Sequence, residues 1–240
     1  MTPGRLYLVP NLLGVVQPER VLPAHTMAVA RRLAHYVVEN AKPARAFLKS
    51  LSTVVPIQEI AIVEIGSDGT GTDYSALLGP ARSGLDVGLL SDAGCPGVAD
   101  PGARLVAEAH RESIQVIPLV GPSSIVLALM ASGMNGQGFI FHGYLPAKAD
   151  ARAAAIQRLE GDSRRSGSTQ IFIETPYRNA ALLATLTATC DARTRLCVAA
   201  DLTLDTESIV SKAISQWRGS GFESYAKRPA IFLVASDKQG

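Results

Sequence analysis

Short apolar runs alternate with amphipathic stretches through the first half of the chain. The apolar runs end at or near Gly, Pro, Asp or Asn residues, which is typical of buried strands, and they cover 5–9, 35–39, 57–65, 86–90 and 115–119. Between these runs, apolar residues recur at helical spacing, which predicts helices over 25–34, 43–51, 73–81 and 101–112. Strands that alternate with helices favour an α/β fold around a mostly parallel sheet.

The second half of the chain follows a different pattern, because some predicted strands come directly after one another. The predicted strands are 138–142, 169–174, 195–199, 207–210 and 229–235, and the predicted helices are 123–131, 149–159, 178–188 and 212–218. Strands without an intervening helix pair antiparallel, so this half predicts a mixed sheet. The polar, Gly- and Ser-rich stretch 162–168 predicts a mobile loop. Gly121-Pro122 predicts a linker between an N-terminal α/β domain, 1–120, and a C-terminal α/β domain, 121–240.

Composition narrows the function classes. The chain has 240 residues, 47% of them hydrophobic, which is enough for a sizeable core. No apolar run approaches the roughly 20 residues that a membrane span needs, and the N-terminus has no signal-peptide pattern. We therefore expect no membrane partner. The three cysteines have no metal-ligand spacing, so we also expect no metal site, and their small number fits a reducing cytoplasm. The net charge of +2 is too small to attract nucleic acid by itself.

Residues 88–102 carry the most candidate chemistry. This stretch begins inside an apolar strand and contains four Gly, two Pro and two Asp residues, which predicts that the strand leads into a rigid loop whose backbone approaches a ligand closely. Asp92 comes just after the strand, where open α/β sheets present ligand-binding groups. The alternative is a tight strand-to-helix turn in which Asp100 caps a helix that starts at Pro101.

Other chemistry-bearing residues give weaker signals. The glycine-rich stretch 64–71 lacks the spacing of a Rossmann cofactor site, so it predicts a mobile loop. Among the four histidines, His142 lies at a predicted strand end and is the candidate general base, whereas His25 and His110 predict solvated helix positions. Cys95 has no neighbouring base in sequence, so we interpret it as a small residue packed against backbone, with a nucleophile as the alternative.

The loop SDAGCPGVADPG (91–102) resembles a loop of the tetrapyrrole methylase family of S-adenosylmethionine (SAM) enzymes. Further segments resemble that family in the same order: LYLVPNLLG (6–14), PLVGPSS (118–124), GYLPAK (143–148), ETPYR (174–178) and RPAIFLV (228–234). The resemblance covers nearly the whole chain. It is closest to the branch of ribosomal RNA small-subunit cytidine 2'-O-methyltransferases, and it implies a short paralogue without the C-terminal segment typical of that branch.

This resemblance implies a SAM-dependent methyltransferase of two α/β domains, with the cofactor in the cleft between them, and a homodimer. It implies cofactor contacts in the matching segments, at Leu12, Leu13, Asp92, Gly94, Cys95, Ser123, Ser124, Glu174 and Thr175. The helix N-terminus that follows Pro122 suits the carboxylate of SAM, and the alternative is that the two serines only cap the helix. Arg178 is a candidate for binding a phosphate or an acidic substrate, or else an ordinary surface residue.

The branch also implies that the acceptor is a ribose hydroxyl of ribosomal RNA, with the small ribosomal subunit as a partner. Such a hydroxyl is a poor nucleophile until a base removes its proton, and the candidates for that base are Glu39, His142 and Lys148. Two basic clusters are candidates for RNA phosphates, one on a single helical face and one in the predicted loop: Lys42, Arg45 and Lys49, and Arg164 and Arg165.

Residues 39–42 favour two alternatives. In the RNA-modifying relatives this segment looks like Glu-Asp-Thr-Arg, whereas here it reads Glu39-Asn40-Ala41-Lys42. The change favours a methyltransferase that acts on a tetrapyrrole or another small molecule, or a paralogue that binds SAM or RNA without catalysis. Glu39 itself has a structural alternative, as a negative charge at the N-terminus of the following helix. The intact loop 91–102 favours catalysis.

Overall fold

The computed structural model describes residues 2–65 and 71–236. Most of the glycine-rich stretch considered as a Rossmann site, 66–70, lies outside the described residues. The chain divides into two compact units, residues 1–123 and 124–240. Each unit has its own sheet and its own hydrophobic core, so each is described by itself.

Unit 1 is built around a parallel sheet. Its strands are β1 (Leu6–Val9), β2 (His35–Val38), β3 (Ala61–Glu64), β4 (Val87–Leu90) and β5 (Val116–Pro118). Its helices are α1 (Ala24–Arg32), α2 (Ala41–Leu51), α3 (Tyr74–Leu77), α4 (Gly79–Arg82) and α5 (Ala103–Arg111), with a 3-10 turn at Pro18–Arg20. The strand order is β3-β2-β4-β1-β5 and these pairs are parallel, which confirms the expected sheet. The carboxyl ends of these strands therefore lie at one edge.

Both faces of the three central strands of this sheet, β2, β4 and β1, are buried. Along β2, Tyr36 and Val38 pack into one cluster with α1 and α2, while Val37 packs into a second cluster with α4 and α5. Along β4, Leu90 and Leu89 divide between the same two clusters. Strands covered on both faces are apolar at consecutive positions, and for this reason the sequence shows them as short continuous runs.

Unit 2 is built around a mixed sheet. Its strands are β6 (Phe139–Tyr144), β7 (Thr169–Ile173), β8 (Arg195–Ala200), β9 (Ser208–Ala213) and β10 (Ala230–Ala235). Its helices are α6 (Ser124–Ser132), α7 (Ala149–Ser166), α8 (Asn179–Thr189) and α9 (Ile214–Trp217), with 3-10 turns at Pro176–Arg178 and Glu223–Tyr225. The order is β6-β7-β10-β8-β9, with β6 parallel to β7 and the other pairs antiparallel. The expected mixed sheet is confirmed.

The predicted mobile loop at 162–168 is wrong, because α7 continues to Ser166. Ser163 is fully buried in this helix, where its hydroxyl donates to the Ser168 carbonyl at 2.8 Å and accepts from the Ser236 amide at 2.9 Å. The helix ends only at Gly167, whose φ of +72° suits glycine at a helix C-terminus. Arg164 and Arg165 therefore lie on a helix and not in a loop.

Three other predicted elements differ in their bounds. The strand predicted over 57–65 is confined to β3, because 57–60 form turns after Pro56. The helix predicted over 73–81 is divided into α3 and α4 at Gly79-Pro80, since proline has no amide hydrogen to continue the helix. The helix predicted from Lys212 begins at Ile214, because Lys212 pairs with β8 in the sheet.

Candidate functional site

The loop after β4 is held in shape by Asp100. Its carboxylate accepts hydrogen bonds from the Gly97 amide, at 2.9 and 3.0 Å to its two oxygens, and from the Gly102 amide at 2.7 Å. Burial raises the pKa of Asp100 and these backbone donors oppose the rise. The helix predicted from Pro101 begins at Ala103, with Gly102 at its N-cap position. Asp100 therefore ties the loop to itself instead of capping that helix.

The loop after β1 is bound to the loop after β4 through Asn11. This residue is 5% exposed, and its side-chain amide donates to the carbonyls of Ser91 and Asp92, both at 3.0 Å. The Asn11 backbone amide donates to the Gly94 carbonyl at 2.9 Å, and its side-chain oxygen accepts from the Leu12 amide at 2.8 Å. One buried amide thus holds two of the predicted cofactor-binding segments together.

A third segment, at the end of unit 1, joins these two loops. The Cys95 thiol lies 3.5 Å from the Pro122 carbonyl, to which it donates, and burial raises the pKa of that thiol. Gly94 has a φ of +70°, and a Cβ at this position would lie 3.3 Å from Leu13 Cδ2 and 3.5 Å from the Pro122 oxygen. Gly121 packs against Pro10 so closely that a Cβ there would lie 2.3 Å from the proline Cβ. The side-chain-poor residues of all three segments therefore permit their close packing.

Three carboxylates lie near one another at the carboxyl edge of the parallel sheet. The Asp92 amide donates to Glu39 Oε2 at 3.2 Å, and the Ala41 amide donates to Glu64 Oε1. The side chain of Asp92 is exposed, and none of the hydrogen bonds of the described residues involves its carboxylate. Partial desolvation by the surrounding loops raises the pKa of Asp92, and the negative charges of Glu39 and Glu64 raise it further. This edge therefore presents a negative potential with one unpaired carboxylate.

The start of α2 depends on Asn40 and not on Glu39. The Asn40 side chain accepts from the Lys42 amide at 3.2 Å, which is the geometry of an N-cap. Glu39 directly precedes this N-cap residue, and its side chain accepts from the Asp92 amide in the loop after β4.

We expect Asn40→Ala to lower the free energy of unfolding by about 0.5–2 kcal/mol, because one amide of the first turn of α2 loses its acceptor. Urea unfolding followed by circular dichroism would measure this change. Asn40→Asp is the matched control, since a carboxylate oxygen also caps a helix, and it should retain most of the stability. Equal losses in both variants would contradict the capping role.

In unit 2, the segment after β7 is fixed by a buried ion pair. The Glu174 side chain is fully buried, and its Oε1 accepts from Arg178 Nε at 2.8 Å, from Arg178 Nη2 at 2.6 Å and from the Thr175 amide at 2.6 Å. Its other oxygen, Oε2, is buried without a hydrogen-bond partner. Glu174 is therefore closed to a ligand and fixes Thr175 and Arg178, which are partly exposed, whereas the neighbouring Tyr177 is exposed.

His142 and Lys148 are not brought together by a contact in the described structure. His142 Nε2 lies 2.7 Å from Gln170 Oε1, and Gln170 Nε2 donates to the Ser168 carbonyl at 3.1 Å. Because a carbonyl only accepts, the Gln170 oxygen faces His142, and neutral His142 carries its proton on Nε2. Its Nδ1 is then an acceptor. Lys148 is exposed at the N-cap position of α7.

The remaining predicted residues have simpler positions. Ser123 is half-buried at the end of unit 1 and Ser124 opens α6 in unit 2. His25 and His110 are exposed on helices, as expected. No helix of the described residues is long and apolar enough to cross a membrane. Within 2–65 and 71–236, no three side chains of His, Cys, Asp or Glu are placed to hold a metal ion.

Sequence reasoning did not find Asn11, which makes more of the site's hydrogen bonds than any residue that it did find. The signal available in the sequence is an asparagine two residues after a buried strand, next to a proline. That signal is also typical of ordinary turns, so it does not distinguish a buried asparagine that joins two loops from one in a surface loop.

Comparisons with known proteins give one consistent family. The model of the family described as tetrapyrrole (corrin/porphyrin) methylases matches residues 27–216. A protein of Micromonospora olivasterospora named ribosomal RNA small subunit methyltransferase I is 35% identical over 213 residues, which are 89% of this chain and 64% of that protein. A Pseudomonas aeruginosa protein of the same name is 30% identical over 216 residues, 90% of this chain and 72% of that protein. The chain thus spans slightly less than two thirds of the first relative.

Solved structures show the same fold at lower identity. The methyltransferase CobJ has a TM-score of 0.63 and 17% identity, covering 97% of this chain and 94% of its own. The uroporphyrin-III C-methyltransferase of Thermus thermophilus has a TM-score of 0.57 and 18% identity, with the same coverage. At these identities the likeness concerns the fold alone, and it confirms the expected fold class.

Proposed function

The chain belongs to the tetrapyrrole methylase family, and from that premise we propose that it transfers a methyl group from SAM to ribosomal RNA of the small subunit. The relatives with that name match about nine tenths of the chain, which supports RNA over a tetrapyrrole as the acceptor. The observation that carries the proposal is the convergence of the three loops of unit 1 beside the unpaired Asp92.

The residues of this edge fit SAM. The cofactor carries a positive sulfonium and a positive amino group, and the edge presents the carboxylates of Asp92, Glu39 and Glu64. A cation is favoured near several carboxylates, and an unpaired carboxylate accepts hydrogen bonds from amino or hydroxyl groups. We assign direct contact to Asp92, and to the backbone and small side chains around Gly94 and Cys95. Leu12 and Leu13 would supply apolar contact, since both are half-buried in the loop after β1.

The other cofactor contacts follow from local structure. Ser123 and Ser124 precede or open α6, whose first amides are donors for a carboxylate. Of the two candidates in the segment after β7, Thr175 is the one that a cofactor can contact, because the Glu174 side chain is fully buried. Glu174 therefore acts by fixing Thr175 and Arg178.

SAM supplies an electrophilic methyl group, so the protein has to orient the acceptor and remove a proton from it. Asn11 and Asp100 fix the loops, which limits the freedom of whatever binds there. Glu39 keeps its Oε1 without a partner among the described residues, and this oxygen can take a hydroxyl proton. Neutral His142 offers Nδ1 for the same role, while Lys148 is exposed and has no described neighbour that would activate it.

We expect the purified, chelator-treated protein to bind one SAM per chain in isothermal titration calorimetry. No metal is needed, because methyl transfer from a sulfonium requires no Lewis acid. Addition of Mg²⁺ or Zn²⁺ is the control and should leave the affinity unchanged. Absence of binding at millimolar SAM would contradict the proposal.

The acceptor is tested by transfer of a labelled methyl group to small ribosomal subunits from cells that lack the corresponding methyltransferase. Label in the RNA fraction, located on a ribose by nuclease digestion, is the expected result. SAM binding without transfer to any RNA would instead favour a small-molecule acceptor or a paralogue without catalysis.

We further propose that the protein is located in the cytoplasm and that it forms a homodimer. Unit 2 exposes large apolar side chains on α6 and on the edge strand β6: Val126, Met130, Phe139, Ile140 and Tyr144. Large apolar side chains exposed on one unit favour a surface that another protein covers. Sedimentation equilibrium should give twice the chain mass, and Met130→Lys with Ile140→Lys should shift the equilibrium towards the monomer. A monomer at all concentrations would contradict the dimer.

A further inference from the structure

The 3-10 turn after β7 exposes an aromatic ring that the proposed chemistry does not use. The side chain of Tyr177 is 82% exposed, whereas tyrosine side chains in folded proteins are usually partly buried. The residue after it, Arg178, is held by the buried Glu174. The turn therefore places an exposed aromatic ring next to a guanidinium that the protein holds in position.

The fixed position of Arg178 has a cost in stability. Glu174 is fully buried, and one of its oxygens has no partner, so the ion pair does not recover all the hydration that the carboxylate loses. Both nitrogens that bind Glu174 contact the same oxygen, which leaves Arg178 Nη1 without a partner among the described residues. The side chain of Arg178 is 39% exposed. The Arg178 guanidinium is therefore a hydrogen-bond donor that the protein holds in one orientation and that solvent can reach.

A second basic residue is attached to the same turn. The Lys227 amide donates to the Pro176 carbonyl at 3.0 Å, and Lys227 has a φ of +64°, which is unfavourable for a residue with a side chain. The buried Asn179 amide donates to the carbonyls of Tyr225 and Arg228, at 3.1 and 2.7 Å. These bonds clamp the segment that carries Lys227 onto the turn, and the Lys227 side chain is exposed.

We propose that Tyr177, Arg178 and Lys227, here called the Tyr177 platform, bind single-stranded RNA, with a base stacked on the ring and phosphates at the two cations. The proposal rests on the proposed function, because it takes RNA as the acceptor. Bases that are free of a helix are recognised by stacking on aromatic side chains beside basic groups, whereas duplex RNA offers few base faces. An arginine whose planar group is already oriented loses little entropy when it binds a phosphate.

The experiment measures binding of a labelled single-stranded RNA, and of the same RNA annealed to its complement, by fluorescence anisotropy. We expect Tyr177→Ala to weaken single-strand binding by about 5- to 100-fold, as is usual for a stacked base. Tyr177→Phe should bind like the wild type, because the ring face is kept. Lys227→Gln should reduce the salt dependence of single-strand binding by about 0.7 in log–log slope, the value for one phosphate.

Leu85→Ala and Arg193→Gln are the controls. Leu85 is a 48% exposed apolar side chain that precedes β4 in unit 1, and Arg193 is an ion-paired surface arginine that precedes β8, at the opposite edge of the unit 2 sheet from the platform. The platform is wrong if Tyr177→Ala binds single-stranded RNA no more weakly than Leu85→Ala, or if the wild type has no affinity for RNA. SAM binding, which Tyr177→Ala should leave unchanged, reports separately on the proposed function and identifies a failure of the methyltransferase itself.

Discussion

We expect Asp92→Asn to weaken SAM binding by about 1–3 kcal/mol, which is the usual penalty when a buried donor loses its acceptor. Asp92 is the carboxylate at the converging loops that makes no hydrogen bond within the described residues, so its loss removes nothing that those residues need. Asparagine keeps the size of the side chain. The affinity should therefore fall while the loop keeps its shape.

The stability of the ligand-free protein should change in the opposite direction. The pKa of Asp92 is raised in the folded protein by burial and by the charges of Glu39 and Glu64. The folded chain thus binds this proton more tightly than the unfolded chain, and the ionised carboxylate destabilises the fold at pH values above the raised pKa. That cost disappears as the pH falls below the unfolded value, because Asp92 is then protonated in both states.

Thermal unfolding of the ligand-free variant should consequently give a Tm equal to or slightly above that of the wild type at neutral pH. At acidic pH the two Tm values should coincide. Asp162→Asn is the control, since Asp162 is a carboxylate of α7 in the other unit, 43% exposed and paired with Arg165, and it should leave SAM affinity unchanged. A large fall in Tm with unchanged affinity in the folded fraction would mean that Asp92 only supports the loop.

The elements that the sequence predicts well are those whose surroundings are uniform. The strands β1, β2 and β4 lie within one residue of their predicted bounds, because a strand buried on both faces must be apolar along its whole length. The sequence also predicts that Asp92 and Glu39 lie at the same edge of the sheet. Residues that follow parallel strands meet at one edge, and these two meet in a hydrogen bond although 53 positions separate them in sequence.

The failures have a common physical origin in polar groups whose partners are remote in sequence. The stretch 162–168 is polar in composition, yet Ser163 is buried because its hydroxyl is bound by Ser168 and Ser236. Asn11 is a turn residue by type, and it becomes the clasp of the site only because carbonyls 80 and 81 positions away lie beside it. Hydrophobic patterns record which face is buried, but they do not record which buried polar groups satisfy each other.

The second large effect concerns the basic face of α2. Lys42, Arg45 and Lys49 are exposed on this helix, opposite the buried Phe47 and Leu48, and none of them forms an ion pair within the described residues. The helix starts directly after Glu39 and Asn40, so its basic face begins beside the candidate site. By contrast, Arg164 and Arg165 lie near Glu160 and Asp162, which neutralise part of their charge.

We expect replacement of Lys42, Arg45 and Lys49 by Gln to reduce the salt dependence of RNA binding by about two to three units of log–log slope. Each lysine or arginine that contacts a phosphate releases about one condensed counterion, and the slope changes from the three lost contacts are additive. Affinity at low salt should fall steeply, while the difference from the wild type should shrink as the salt concentration rises. Fluorescence anisotropy with small-subunit ribosomal RNA across a series of salt concentrations measures both quantities.

A matched variant separates local contact from overall charge. Arg82, Arg111 and Arg193 are exposed arginines that are each paired with an acid, and their replacement by Gln removes the same three charges from a chain whose net charge is +2. If α2 contacts phosphates, this control keeps a slope near that of the wild type. If both variants lose the same slope, RNA responds only to net charge. Since a net charge of +2 attracts RNA weakly over distance, an unchanged slope in the α2 variant would place the phosphate contacts on another surface.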